Sequence, residues 1–206
     1  LAAIISIPIG IISALKQNTK VDYASMVAAQ MGISIPIFWL GLMLILLLSL
    51  YLDVLPPGGR GDPPDFIHLI LPAFCLSTPF MATSARLTRS CMLEVLREGY
   101  IIAARSRGYA EVRVILKHAL RNAMIPVVTN LGLQLSRMLG GALVTEVVFR
   151  WPGIGGLAYD AIMERDYPVV MGVVLLIAVI FIVLNLIVDI SYRFFDPRIQ
   201  YGAKST

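Results

Sequence analysis

The segment that decides the fold runs from residue 97 to residue 126 and reads REGYIIAARSRGYAEVRVILKHALRNAMIP. It is polar and basic, yet it lies between apolar stretches of a chain whose mean hydropathy is +0.81. Apolar residues recur at three- and four-residue spacing from Leu93 to Ala104, which predicts a short amphipathic helix. Gly108 stands where a glycine in the C′ position would end that helix. We therefore expect a membrane protein that binds a partner at this segment.

The composition is typical of a protein that crosses a bilayer several times. The 206 residues are 58% hydrophobic and 15% charged. Five apolar runs are predicted to be spans, at about residues 1–15, 30–52, 66–85, 122–147 and 168–190. The first run is too short for a bilayer core of roughly 30 Å at about 1.5 Å per residue. Because the chain also begins at Leu1 rather than Met, we expect that a first helix is missing.

The basic residues orient these spans. Most of the 17 Lys and Arg residues fall at positions 16–26, 86–121 and 193–204, whereas the alternating loops hold Arg60, Arg150 and Arg165. The positive-inside rule then places the 86–121 loop and the C-terminus in the cytoplasm, and the Pro- and Gly-rich 53–65 loop outside. Topology accounts for the net charge of +4, so no nucleic-acid partner is expected.

Common signatures of catalysis are absent from the sequence. It has no glycine-rich phosphate loop, no His-Glu-x-x-His motif and no Gly-x-Ser-x-Gly elbow. His68 and His118 are predicted on opposite sides of the membrane, so no metal site is expected. Cys75 and Cys91 are predicted to be packing residues rather than a disulfide. We expect no covalent chemistry in this chain, which could still move a solute with energy supplied elsewhere.

The residues of the charged segment leave two interpretations open. An amphipathic helix with basic side chains can lie on the headgroups and contact anionic lipid. It can also dock into a protein, which the small pair Ala103 and Ala104 and the stop at Gly108 favour. Arg105 and Arg107 in the last turn suit the negative end of the helix dipole in either case.

Several motifs together carry a family resemblance. The first is Ala103-Ala-Arg-Ser-Arg-Gly108, followed by His118-Ala-Leu-Arg-Asn122 and Ile125-Pro126. The others are Gly32-Ile-Ser-Ile-Pro36-Ile-Phe-Trp39-Leu-Gly41, Trp151-Pro-Gly153-Ile-Gly155, Asp166-Tyr-Pro-Val-Val170 and Asp196-Pro-Arg198-Ile-Gln-Tyr201. In this order they resemble bacterial ABC importer permeases, with the first set similar to the cytoplasmic "EAA" loop. The resemblance is closest to the B-type branch for dipeptides, oligopeptides, nickel and glutathione. Ile102 and Arg121 depart from the general importer pattern in the way that this branch does.

The resemblance implies a fold. It implies an all-α polytopic membrane protein with the transmembrane fold of type I ABC importers, with six helices in the full-length protein and five visible here. Residues 1–206 then form one transmembrane domain, truncated at its N-terminus, and residues 93–120 form the cytoplasmic coupling-helix loop within it. The implied location is a bacterial or archaeal cell membrane.

The resemblance also implies partners and a mechanism. Members work with a second homologous permease subunit, two cytoplasmic ABC ATPase subunits and an extracytoplasmic solute-binding protein, within membrane lipid. ATP and Mg would bind to the ATPase partners, and this chain would bind no cofactor. The coupling helix, implied over residues 93–108, would lie in a groove of the ATPase. The residues implied in this coupling are Arg97, Glu98, Tyr100, Ala103, Ala104, Arg105 and Gly108.

Polar residues within the spans suggest a translocation path. Asn130, Gln134 and Arg137 are spaced to share one helix face, and an ionisable residue at this depth rarely faces lipid. They could line the path, with Arg137 meeting a carboxylate of the solute. Arg137 could equally pair with a neighbouring helix or with the partner permease. Asp189 and Arg193, four residues apart, are expected to form a local ion pair.

Two other functions stay open at this point. An ion-driven secondary transporter could use Asp189 or Glu146, although such proteins carry acidic residues near the middle of the bilayer. A membrane scaffold without transport activity would leave Asn130, Gln134 and Arg137 without a purpose. The sequence does not identify the solute, because selectivity in this family is thought to lie largely with the binding protein.

Overall fold

The computed structural model describes residues 1–195, and all of its regular elements are helical. The helices are α1 (Ala2–Leu15), α2 (Lys20–Ser34), α3 (Ile37–Leu44), α4 (Ile67–Leu96), α5 (Gly99–Ser106), α6 (Glu111–Arg113), α7 (Leu120–Phe149), α8 (Ile154–Glu164) and α9 (Tyr167–Phe195). Two π-helical segments, Ile45–Tyr51 and Val114–Ala119, continue α3 and α6. The motif that begins at Asp196 lies outside the described residues, as do the side chains of Asp189 and Arg193.

Two described helices, α4 and α9, are long and apolar enough to cross a membrane. The pair formed by α2 and α3 meets the same criterion together but is bent by 106°. The span predicted over 30–52 therefore contains a sharp bend near its beginning. The bend lies at Ile35 and Pro36, which both have extended backbone. A residue before proline disfavours the helical conformation, so the bend follows from the sequence.

The helix α4 is longer than the span that the sequence predicts. It continues from the membrane segment to Leu96, and its 30 residues measure about 45 Å, against roughly 30 Å of hydrocarbon. Leu93 and Leu96 therefore belong to α4, and they pack against buried residues of the chain's own interior. The amphipathic helix expected over residues 93–108 is corrected to the shorter α5.

Close packing between α1 and α4 depends on a glycine. A Cβ atom at Gly10 would lie 2.5 Å from the Cβ of Thr88 and 2.7 Å from the carbonyl oxygen of Ala85. Small residues allow helix backbones in membranes to approach in this way. The first apolar run, although short, is thus fixed against the inner half of α4.

The described side chains form two separate clusters of buried apolar residues. The inner cluster, toward the predicted cytoplasmic side, comprises Ala14, Cys91, Met92, Ile101, Ala104, Val114, Ala119, Ala123 and Val127. The outer cluster comprises Leu71, Cys75 and Phe149. The inner cluster joins α1, α4, α5 and α7, so the short helix α5 is part of the packed interior.

In contrast, α9 is almost entirely exposed. Only 6% of its apolar window is buried within the chain. Such a surface would be costly in water but is expected where a helix faces lipid or another transmembrane subunit.

Candidate functional site

The helix α5 begins after a sharp break in the chain. Arg97 ends α4, and Glu98 has extended backbone, with φ −68° and ψ 144°. The carbonyl oxygen of Glu98 then accepts hydrogen bonds from the backbone N–H groups of Ile101 and Ile102. Two residues thus redirect the chain from the long α4 into an eight-residue helix.

The end of α5 has the geometry that the sequence predicts. Gly108 has φ +77°, in the left-handed region. Its N–H donates to the carbonyl of Arg105 at 2.9 Å, and the N–H of Tyr109 is 3.5 Å from the carbonyl oxygen of Ala104. These are the two bonds of a Schellman motif. A Cβ atom at Gly108 would meet nothing within 4 Å, so backbone conformation alone requires glycine here.

The two faces of α5 differ sharply in burial. Ile101 is 0% exposed and Ala104 is 7% exposed, and both belong to the inner cluster. Tyr100, Ala103 and Arg105 are exposed. The expectation that Ala103 and Ala104 form one small-residue surface is therefore wrong. Adjacent helical residues point about 100° apart, and Ala104 faces the interior of the chain.

Polar contacts connect α5 to the segment that follows it. The guanidinium of Arg105 donates to both carboxylate oxygens of Glu111, at 2.6 Å and 3.2 Å. These hydrogen bonds hold the pKa of Glu111 below its ordinary value. At the other end of α5, the amide of Asn122 donates to the hydroxyl of Tyr100 at 2.8 Å. Both contacts lie at the surface.

Next to these contacts, an aromatic pair flanks the turn between α5 and α6. The rings of Tyr109 and His118 stack with centroids 5.8 Å apart, and the guanidinium of Arg113 lies 5.1 Å from the Tyr109 ring centre. On the outer side, His68 instead contacts Asp65, with Nδ1 2.6 Å from the carboxylate. Within the part of the chain whose side chains are described, no three His, Cys, Asp or Glu residues come together as metal ligands would.

Sequence reasoning missed a buried ion pair between α2 and α4. Arg89 donates through Nε and Nη2 to the two carboxylate oxygens of Asp22, at 2.6 Å and 2.7 Å. Asp22 is 1% exposed and also accepts from the hydroxyl of Ser13 and the backbone N–H of Asn18. The only local signal was an acidic residue in the first turn of an apolar helix. Its partner is 67 residues away in the sequence.

The structure does not bring the three predicted path residues into one site. Gln134 is 4% exposed, and its side-chain oxygen accepts a hydrogen bond from Ser84 of α4 at 3.2 Å. Arg137 is exposed on α7. Asn130 is partly buried and lines a cleft of about 610 Å³ between α2, α4 and α7. We call this space the polar cleft; its polar lining residues are Gln30, Thr83, Arg86, Arg89, Ser90 and Asn130.

At the outer end of α7, Glu146 is engaged in the fold. Its carboxylate accepts a hydrogen bond from the backbone N–H of Gly156, in the first turn of α8, at 2.9 Å. A carboxylate at a helix N-terminus also interacts favourably with the helix dipole. A Cβ atom at Gly153 would overlap this carboxyl group. Glu146 therefore anchors α8.

Comparison with known proteins gives consistent results. Residues 6–201 match the family described as "Binding-protein-dependent transport system inner membrane component". The dipeptide transport system permease protein DppB of Alkalihalophilus pseudofirmus is 46% identical over 97% of this chain and 68% of its own length. The oligopeptide transport system permease protein AppB of Bacillus subtilis is 47% identical over 98% of this chain and 66% of its own length. The chain thus spans about two thirds of the length of these relatives.

A solved structure shows the same fold. An inward-facing form of the MetNI methionine ABC transporter superposes with a TM-score of 0.76 at 18% identity, covering 95% of this chain and 88% of the other. At this low identity, the similarity concerns the fold alone. It agrees with the expectation of a type I importer transmembrane domain built from helices.

Proposed function

The chain belongs to the family of binding-protein-dependent transport system inner membrane components, and we propose from this premise that it is the membrane-spanning permease of an ATP-driven peptide importer. The family match over residues 6–201 supports the transport role. Similarity to permeases named for dipeptide and oligopeptide transport supports the class of solute.

One structural observation carries the proposed mechanism. The exposed helix α5 is joined to the packed interior through Ile101 and Ala104 in the inner cluster, which also contains residues of α1, α4 and α7. A cytoplasmic ATPase that shifts α5 would therefore move these helices with it. Displacement of packed elements as rigid bodies is a known means of switching between conformations. We propose that this displacement alternates access to the solute between the two sides of the membrane.

The proposed partners follow the family. They are a second homologous permease, two cytoplasmic ABC ATPases and an extracytoplasmic solute-binding protein. ATP and Mg would bind to the ATPases, so this chain would couple to hydrolysis without catalysing it. The surface offered to the ATPase consists of the exposed side chains of α5 and of the break before it, namely Arg97, Glu98, Tyr100, Ala103 and Arg105. Ala104 supports this surface from beneath, and Gly108 ends it.

The predicted path residues take different roles in this proposal. Asn130 lines the polar cleft and is the residue that we place on the translocation path. Gln134 joins α7 to α4 through Ser84. Arg137 is exposed on α7, where a partner permease or the solute can reach it. An ion-driven mechanism is not favoured, because the chain belongs to a family of binding-protein-dependent transport systems and its Glu146 is bonded to α8.

The experiment that tests the coupling role compares two substitutions at one exposed position. Ala103→Trp should abolish peptide uptake by the complete transporter in liposomes, because the larger side chain blocks docking of α5. Ala103→Ser, which keeps the size, should retain uptake. Both variants should insert and fold alike, since Ala103 lies outside the inner cluster. If the Trp variant binds the ATPases normally and couples hydrolysis fully to uptake, α5 is not the docking element.

A further inference from the structure

The polar cleft carries an unbalanced positive charge. Arg86, exposed at its rim, donates from Nη1 to the side-chain oxygen of Gln30 at 3.0 Å. Among the side chains that the structure describes, no carboxylate lies within salt-bridge distance of Arg86. Its neighbour Arg89 is different, because Asp22 neutralises it. A guanidinium has five N–H donors, so most of the donors of Arg86 are free to bind a ligand.

Asn130, which lines the same cleft, also has a donor without a partner. The amide nitrogen of Asn130 is buried and has no hydrogen-bond partner among the described residues. Buried donors in native proteins are almost always satisfied, so an isolated one indicates a ligand or an ordered water. The nitrogen belongs to α7, whereas Arg86 belongs to α4. Two helices therefore contribute residues with unpaired donors to the lining of one cleft.

The size and walls of the cleft fit a small solute. Its volume of about 610 Å³ lies within the range of roughly 300–1,000 Å³ that is usual for small-molecule sites. Met26, Ile33 and Leu87 provide an apolar wall beside the polar groups. A planar guanidinium matches the two oxygens of a carboxylate, and an amide N–H can add a third bond.

We propose that the polar cleft is an oxyanion-binding subsite whose ligand is the carboxylate of a short peptide. Arg86 provides the charge, Gln30 orients its guanidinium, and Asn130 donates from the opposite wall. The identity of the ligand rests on the proposed function, whereas the preference for an oxyanion rests on the cleft alone. Arg86 lies 19 residues after Ile67, about 29 Å along α4 by helix rise. The subsite is therefore at the inner end of the path, where an anionic lipid headgroup is the competing ligand.

The first experiment measures charge preference without depending on transport. A Ser90→Cys reporter lies in the cleft, one helical turn after Arg86, while the native thiols Cys75 and Cys91 are buried. The full transporter in phosphatidylcholine nanodiscs is treated with an anionic or a cationic methanethiosulfonate. The anionic reagent should react faster, and the ratio of rates should fall about fivefold in Arg86→Gln. The control Arg121→Gln removes an exposed cytoplasmic charge that does not line the cleft and should leave the ratio unchanged. An equal ratio in Arg86→Gln and wild type would overturn the subsite.

The second experiment identifies the ligand. Dialanine should slow the reaction of the reporter with the anionic reagent at least threefold, and dialanine amide, which lacks the carboxylate, should not. If only phosphatidylglycerol added to the nanodiscs slows the reaction, a lipid headgroup occupies the cleft and the peptide assignment is wrong. Uptake assays separate this failure from failure of the proposed function. A wild-type transporter that takes up no peptide contradicts the function, whereas normal uptake without protection by dialanine contradicts the subsite.

Discussion

The two flanks of α5 are built from different kinds of contact. Before α5, the helices α1, α2 and α4 are joined by the buried Asp22–Arg89 pair and by direct backbone approach at Gly10. After α5, the polar contacts are the exposed Arg105–Glu111 pair and the bond from Asn122 to Tyr100. Exposed ion pairs contribute little to stability, whereas breaking a buried pair is costly. The inner cluster joins both flanks to α5. The polar contacts differ, forming a stiff block before α5 and a compliant connection after it.

The largest expected effect concerns the stiff block. Arg89→Ala leaves the carboxylate of Asp22 buried and without its main partner. We expect a loss of about 3–5 kcal/mol in the free energy of unfolding. Thermal unfolding of the purified protein in detergent measures it, and Arg121→Ala, at an exposed position, should change stability by no more than about 0.5 kcal/mol. Equal melting temperatures for the two variants would show that the buried pair does not make the flank before α5 more stable than an exposed position does.

The second effect concerns the same block through packing. Gly10→Ala places a methyl group against Thr88 and the carbonyl of Ala85, so α1 and α4 must separate. We expect a loss of about 1–3 kcal/mol. The matched control is Gly172→Ala in α9, where nothing lies within 4 Å of the added carbon. That control should be stabilised by about 0.5–1 kcal/mol, because alanine favours the helix. Shifts of the melting temperature in opposite directions for the two variants would confirm that α1 is tightly packed. A melting temperature that does not fall in Gly10→Ala would contradict it.

A smaller effect is expected where α5 ends. Gly108→Ala forces a side chain into the left-handed region, which costs about 1–2 kcal/mol, although the space around it is empty. Because only the end of α5 is affected, hydrogen exchange should accelerate in residues 99–106 and not in α4. Hydrogen exchange in Gly108→Asn should be intermediate between the wild type and Gly108→Ala, since asparagine tolerates this conformation better than alanine. Uniform acceleration across both helices would show that α5 is not a separate unit.

The smallest effect is a pH dependence on the compliant side. The bond from Arg105 lowers the pKa of Glu111 below its ordinary value of 4.5. A depressed carboxyl pKa contributes stability that is present above the ordinary value and is lost as the pH falls through the folded value. We therefore expect the last turn of α5 to exchange faster at pH 3.5 than at pH 6, after correction for intrinsic rates. Glu111→Gln, which cannot titrate, should remove this difference.

The sequence predicted features that depend on local residues. Gly108 was placed correctly as the end of α5, because a C′ glycine has a local signature. The apolar runs predicted an all-helical membrane protein, and the bend at Ile35 and Pro36 has a local cause in the proline. Helix periodicity predicted an apolar face for α5. It did not distinguish a face that contacts a partner from one that packs against the chain itself. Ala104 was misassigned for this reason.

Contacts between distant residues were not predictable from one sequence. Asp22 and Arg89 are 67 residues apart, and Ser84 and Gln134 are 50 apart. Asn130 and Gln134 share a helix face in the sequence, yet only Asn130 lines the polar cleft. The way in which α4 packs on α7 decides which turn of this α7 face is covered by α4. No local sequence pattern encodes that packing.

The exposure of α9 has a consequence for biosynthesis. The two buried clusters draw on residues between Ala14 and Phe149, so they are complete in the growing polypeptide before Tyr167 leaves the ribosome. The last helix buries only 6% of its apolar window and can partition into lipid as an independent unit. A nascent chain that has emerged from the ribosome as far as Tyr167 can therefore pack both clusters before α9 adds its lipid-facing surface.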